Sequence, residues 1–239
     1  AACEGASIFA TTGILGFMVS DGFTCAEKVR ARHPGVRRFV GGWFASVMPH
    51  LYLRSGVFDA VAKGQGELTF MDMVEAVASG ASLEGVGGLA LWRDGAVHDT
   101  EHRPVVGFDK LPDPAWGLID ITPYREGQLA AGAADHHVRM PGPPWIGRRK
   151  PYFGISYFSS FGCPEPCTFC CSPEVTFRRW KAKPAQKILD DLEMLRDRWG
   201  AFDVVRFLDA NFGVMQKRTR EFAQGLLDRE MRIGWNAFI

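Results

Sequence analysis

Strand-like and helix-like segments alternate twice along this chain, once on each side of a proline-rich stretch, and this alternation restricts the fold more than any other feature. Strand, helix and strand in succession are best satisfied by a parallel sheet with helices packed on its faces. In the first half, Ser7–Thr11 reads as a buried strand and Val36–Val40 as a second, closed by Gly41-Gly42. Phe58–Lys63 reads as a third, closed by Gly64-Gln65-Gly66-Glu67. Thr24–His33 has helical character: Thr24 is placed to cap it, Glu27 completes a capping box, and Pro34-Gly35 stops it. Leu68, Met71, Val74, Val77 and Ala78 recur at helical spacing, and Gly88–Val97 reads as a hairpin turning at Asp94-Gly95.

Helical periodicity is lost between residues 100 and 150, where prolines fall at 104, 112, 114, 123, 141, 143 and 144. The stretch reads as an irregular linker, with His136-His137 a solvated pair inside it. Alternation then resumes: a strand within 151–159, a helix over Pro184–Trp199, a strand over Asp203–Leu208, a helix over Lys217–Arg229 and the start of a strand over Arg232–Ile239. The expected division is therefore an α/β domain over 1–99, a linker over 100–150 and the opening β/α units of a barrel over 151–239. A closed eight-unit barrel takes ~250 residues, far more than follow Lys150. The chain also lacks an initiator Met and stops within the apolar run Trp235–Ile239, so a fragment shortened at both ends is expected.

Composition removes several classes of function. A net charge of +1 gives no global attraction to nucleic acid or an anionic surface. No apolar run approaches the ~18 residues of a spanning helix, and the first residues do not form a signal peptide. A cytoplasmic location is the expectation.

Of six cysteines, Cys163, Cys167, Cys170 and Cys171 fall within nine residues, in the run Cys163-Pro164-Glu165-Pro166-Cys167-Thr168-Phe169-Cys170-Cys171. Structural disulfides would be spread along the chain, so clustering points to a metal in a reducing compartment. Thiolates select iron–sulfur clusters, zinc or Cu(I). Structural zinc takes four ligands, often as two separated pairs, whereas three cysteines in one loop leave one iron of a cubane open. Cys171 is too close to Cys170 to share a cubane comfortably and reads as a bystander; Cys3 and Cys25 read as isolated thiols.

The glycine-rich ends of the first three strands form a second candidate site. In parallel α/β sheets ligands sit beyond the carboxyl ends of the strands. Thr12-Gly13, Gly41-Gly42 and Gly64, Gly66 and Glu67 all occupy that edge, either as ordinary turns or as places where a ligand approaches the backbone.

The C-x3-C-x-aromatic-C spacing resembles the radical S-adenosylmethionine (SAM) superfamily. The segments ATTG (10–13), HPGVRRFVGG (33–42), AKGQGELTF (62–70), DKLPDPAWGLID (109–120) and LDANF (208–212) occur in the order seen where a cobalamin-binding domain precedes the radical SAM barrel. The resemblance implies a partial Rossmann-like domain followed by a partial TIM barrel. It implies that Cys163, Cys167 and Cys170 ligate a [4Fe-4S] cluster and that Phe169 packs near the SAM adenine. Asp209 or Asn211 would contact the SAM amino group, although either also suits a helix cap. It further implies cobalamin at the glycine edge and an electron donor such as flavodoxin or ferredoxin. The sequence departs from that pattern at Phe44, where members often carry His, and in the βα units that usually open such a domain. The implied reaction is reductive cleavage of SAM to a 5′-deoxyadenosyl radical, with methyl transfer from cobalamin as the first expectation. A non-methylating relative such as an oxidative cyclase, and a non-catalytic zinc or iron–sulfur module, are the alternatives.

Overall fold

In the computed structural model, residues 3–131 and 152–239 are described. The expected features at His136-His137 and at Pro141, Pro143 and Pro144 lie outside them. The described chain divides into two compact units, Ala1–Val105 with Glu165–Arg179, and Val106–Pro164 with Trp180–Ile239. The division passes between Pro164 and Glu165, and each unit is treated by itself.

Unit 1 is built on a five-stranded sheet in the order β1 (Ile8–Thr12), β2 (Arg37–Gly41), β3 (Ala60–Ala62), β4 (Leu89–Arg93), β5 (Ala96–Asp99). The first three strands are parallel, with Thr12 beside Gly41 and Val40 beside Val61. Parallel neighbours require a crossover, supplied by α1 (Phe17–Arg32) and then by α2 (Trp43–Val47) and α3 (Pro49–Arg54). β4 and β5 run antiparallel to their neighbours, so the parallel strands carry the expected hairpin at one edge of the sheet. The Asp94-Gly95 turn, at φ values of 50° and 80°, reverses the chain within two residues and sets β5 antiparallel to β4. Before it, α4 (Glu67–Ser79) buries Thr69, Met73 and Ala76, the latter two against the sheet residues Phe39, Ala60 and Leu89.

α1 begins well before Thr24, and Thr24 is not its cap. The Thr24 hydroxyl donates to the Ser20 carbonyl in mid-helix at 2.9 Å, and the chain enters α1 through Gly16 at φ 56°. The true start was concealed because Phe17 and Met18 are exposed while the buried face is Gly22, Ala26 and Val29. Small residues there let the helix lie close to β1.

Unit 2 holds a three-stranded parallel sheet in the order β10 (Gly234–Asn236), β9 (Val204–Phe207), β6 (Gly154–Tyr157). α7 (Ala185–Trp199) links β6 to β9, and α8 (Gln216–Asp228) links β9 to β10, as the β-α-β-α-β pattern requires. Ile188, Leu192 and Leu195 of α7 and Phe222 of α8 are buried against Tyr157, Val205 and Phe207. Each fully buried side chain of this size contributes about 1.5–3 kcal/mol. The stretch expected to be an irregular linker contains a ten-residue helix, α5 (Thr122–Ala131). Its Arg125 donates to the Ala201 carbonyl at 3.0 Å, and Gln128 exchanges two hydrogen bonds with the Gly154 backbone, at 2.9 and 3.0 Å. Prolines at 112, 114 and 123 masked the helix by breaking periodicity before and at its first turn.

The cysteine run does not directly follow β6. A short strand β7 (Ser160–Gly162) intervenes and pairs antiparallel with β8 (Trp180–Ala182), so the excursion carrying the cysteines leaves and returns through a two-stranded ribbon. Among the described residues, no helix is long and apolar enough to cross a membrane.

Candidate metal and cofactor site

Gly162, at φ 83°, turns the chain out of β7 into Cys163. Cys163 is half-buried, whereas Cys167, Cys170 and Cys171 are exposed and none is in a disulfide. The Cys170 N–H donates to the Cys167 carbonyl at 3.1 Å, a tight turn that brings those two cysteines onto one bend. The Ser172 N–H donates to Cys170 Sγ at 3.4 Å, the sort of bond that supports a sulfur carrying negative charge. Phe169, between Cys167 and Cys170, is 92 % exposed. The run then enters α6 (Ser172–Thr176). Among the described residues, no three His, Cys, Asp or Glu side chains are drawn together tightly enough to hold one metal ion. The donor set itself suits an iron–sulfur cluster: three soft thiols stand at C-x3-C-x2-C, with Glu165 the only carboxylate between them. Ser160 Oγ and Ser172 Oγ, just before and just after the run, are buried without a hydrogen-bond partner, as is Trp180 Nε1 on β8.

The glycine edge of unit 1 is assembled as expected from its position. Gly13 N–H donates to the Gly41 carbonyl at 2.8 Å, and Phe44 N–H to the Gly13 carbonyl at 3.1 Å. Ser46 extends this link: its hydroxyl donates to the Gly42 carbonyl at 2.8 Å and accepts from Gly64 N–H at 3.0 Å. Thr12, Gly13, Gly41, Gly42 and Gly64 thus share one rim, while Gly66 and Glu67 begin α4 beside it. Two of these glycines have a packing reason. A Cβ at Gly13 would lie 2.1 Å from the Tyr52 hydroxyl, and one at Gly42, at φ 98°, would lie 2.5 Å from Thr12 Oγ1. The Tyr52 hydroxyl is buried and has no partner, and burial raises its pKa. Sequence reasoning missed Ser46 and Tyr52, which belong to short helices without readable periodicity. Within the same unit α6 packs on α2, and a Cβ at Gly64 would stand 3.1 Å from the Val175 carbonyl. The segment bearing Cys167 and Cys170 therefore lies in the same unit as the glycine rim.

Asp209 and Asn211 follow β9. Asp209 is 1 % exposed; its Oδ1 accepts from the Ser159 and Ser160 N–H groups at 2.8 and 2.6 Å, and Oδ2 from the Ser159 hydroxyl. Asn211 is half-buried and its Oδ1 accepts from Gly213 N–H at 2.9 Å. Neither caps α8, whose N-cap is Met215. Beside Asp209 lies a buried group not anticipated from the sequence, Tyr157, Lys183 and Asp191. Lys183 Nζ donates to Tyr157 Oη and to Asp191 Oδ2, both at 2.8 Å, and Tyr157 Oη donates to Asp191. Burial, and then the Asp191 contact, push the Tyr157 phenol far up. Burial alone would raise Asp191, but hydrogen bonds from Lys183, Tyr157 and Lys187 outweigh it and hold the carboxyl below its ordinary value.

No protein-family model matches the chain. It is similar to an uncharacterised methyltransferase of Pyrococcus horikoshii, 28 % identical over 219 residues that make up 91 % of this chain and 42 % of the relative. Other relatives include a cytidylyl-2-hydroxyethylphosphonate methyltransferase of Streptomyces wedmorensis, 27 % identical over 82 % of this chain and 38 % of the relative. An anaerobic magnesium-protoporphyrin IX monomethyl ester cyclase of Rubrivivax gelatinosus is 26 % identical over 85 % and 33 %. Among solved structures, the fold matches the cobalamin-dependent SAM radical enzyme OxsB with aqua-cobalamin and SAM bound. The TM-score is 0.72 and the identity 18 %, over 98 % of this chain and 31 % of OxsB. It also matches the radical SAM methyltransferase TsrM of Kitasatospora setae with cobalamin and a [4Fe-4S] cluster bound. There the TM-score is 0.63 and the identity 17 %, over 94 % and 41 %. The chain thus spans less than half the length of these proteins. The resemblance drawn from the motifs stands: its relatives are named methyltransferases and cyclases, and its fold is shared with cobalamin-dependent radical SAM enzymes.

Proposed function

We propose that this chain is the cluster- and cofactor-bearing part of a cobalamin-dependent radical SAM methyltransferase, acting on a small molecule. The observation that carries the reading is the C-x3-C-x2-C run on a ribbon at the carboxyl end of a parallel β/α sheet, where barrel chemistry is sited. The likeness of the whole chain to OxsB and TsrM supports it. Cys163, Cys167 and Cys170 would hold the [4Fe-4S] cluster, leaving one iron for SAM. When bound, that cluster supplies the electron that splits SAM into methionine and a 5′-deoxyadenosyl radical.

The protein's own residues would bind, orient and exclude water. Phe169, exposed beside the ligands, offers an aromatic face to the adenine. Asn211, partly exposed after β9, would contact the amino end of SAM, whereas the Asp209 carboxylate, 1 % exposed, is already engaged by Ser159 and Ser160. The rim of Thr12, Gly13, Gly41, Gly42, Gly64, Gly66 and Glu67 would receive cobalamin, and its unpartnered Tyr52 hydroxyl is a polar group suited to meet it. A flavodoxin- or ferredoxin-like donor would supply the electron, in the cytoplasm. An oxidative cyclase is the second reading, favoured by the cyclase among the relatives.

The test is anaerobic reconstitution of the full-length protein, reduction, and assay of 5′-deoxyadenosine from SAM. Formation of 5′-deoxyadenosine that is lost in Cys163→Ser, Cys167→Ser and Cys170→Ser, and retained in Cys171→Ser, supports the reading. Equal turnover in all four variants, or none in the wild type, removes it.

A further inference from the structure

Arg218 on α8 is a cation with 3 % exposure, held by main-chain and hydroxyl oxygens. Its Nε donates to the Lys183 carbonyl at 2.8 Å, Nη1 to the Phe212 carbonyl at 3.3 Å, and Nη2 to the Ser159 carbonyl at 3.2 Å and to the Ser159 hydroxyl. Ser159 is the residue before β7, and Lys183 the residue after β8. One guanidinium therefore grips both roots of the ribbon from which the cysteine run departs. Asp209 completes the grip from β9 by accepting the two successive N–H groups of Ser159 and Ser160 and the Ser159 hydroxyl. The roots are also joined directly, Lys183 N–H to the Ser159 carbonyl at 2.9 Å. Lys183 is anchored in turn by Tyr157 and Asp191.

We propose that Asp209 and Arg218 are positioning residues that fix the neck of the cysteine-bearing excursion, and so set where Cys163 presents its thiolate. The proposal rests on the reading of Cys163 as a cluster ligand. A carboxylate and a guanidinium buried in this way are costly unless every hydrogen bond is made. Here the bonds converge on one short backbone junction. That junction lies three residues from Cys163, so a displacement at Ser160 passes directly to the first ligand. Groups hydrogen-bonded to metal ligands typically change affinity or activity 10–100-fold when removed, and Asp209 and Arg218 act one step further out, through the Ser159–Ser160 backbone.

The experiment compares Asp209→Asn with Asp203→Asn in the full-length protein. Asp203 accepts from the Phe153 N–H at 2.9 Å near the opposite end of the same strands, so its variant controls for loss of a structural carboxylate. Two readouts are taken: the rate of Cys163 alkylation relative to Cys25 in cluster-free protein, and the KM for SAM in the reconstituted enzyme. Asp209→Asn is expected to change the relative alkylation rate and to raise the KM about tenfold. Asp203→Asn is expected to move neither, and Asp209→Glu to recover part of each. If Asp209→Asn matches Asp203→Asn in both readouts, the proposal is overturned. If the wild type cleaves no SAM while Asp209→Asn still alters Cys163 alkylation, the positioning role stands and the radical SAM reading fails.

Discussion

At the scale of single residues, the most demanding feature is the buried group of Tyr157, Lys183 and Asp191, each under 5 % exposed. A charge left without its partner in such a site costs about 3–5 kcal/mol, so Asp191→Asn should destabilise the protein by that order, as read by denaturant unfolding. The pH dependence follows from the direction of each shift. Asp191 is depressed in the fold, so its contribution is complete above the unfolded carboxylate value of about 3.9 and is lost as pH falls through the lower native value. Tyr157 is raised, so its contribution is complete below the unfolded phenol value of about 10 and is lost as pH climbs beyond it. Tyr157→Phe should flatten the alkaline limb of a stability–pH curve and leave the neutral region comparatively flat. None of this group was legible in the sequence, because Tyr157, Lys183 and Asp191 lie on three different segments and carry no spacing signal.

At the scale of elements, the glycine rim shows how a motif can be read in position yet explained differently in detail. Residues 13, 41, 42 and 64 are expected at the carboxyl ends of three parallel strands because each closes a strand-like run in the strand–helix alternation, and the structure puts them there. Their glycine identity at 13 and 42 answers first to Tyr52 and Thr12. Gly42→Ala adds a Cβ at positive φ against Thr12 Oγ1 and the Gly13 carbonyl. A cost of about 1–3 kcal/mol to unit 1 is expected, measurable by hydrogen exchange in β1 and β2. The strongly amphipathic α7 and α8 and the strand β9 were legible within a residue or two because their inward residues follow one period. α1 was misplaced because its buried face is Gly22, Ala26 and Val29, and α5 was missed because prolines surround its start. The ribbon β7–β8 is short, and its pairing joins residues too far apart in sequence for local patterning to register.

At the scale of the whole molecule, two compact units each contribute to the cysteine run. Cys163 belongs to the unit of the parallel β6–β9–β10 sheet, and Cys167 and Cys170 to the unit of the glycine rim. Cluster assembly should stabilise the protein against thermal unfolding by linkage, since thiolate ligation favours the folded state. Loading the cluster should raise the Tm, while Cys163→Ser should abolish that rise without altering the apo-protein Tm. The most direct measurement is iron, acid-labile sulfide and zinc content of the anaerobically reconstituted full-length protein, beside the variant with Cys163, Cys167 and Cys170 all replaced by Ser. The account predicts about four irons and four sulfides per protein in the wild type and neither in the variant. One zinc without sulfide, or equal iron in both proteins, would contradict it.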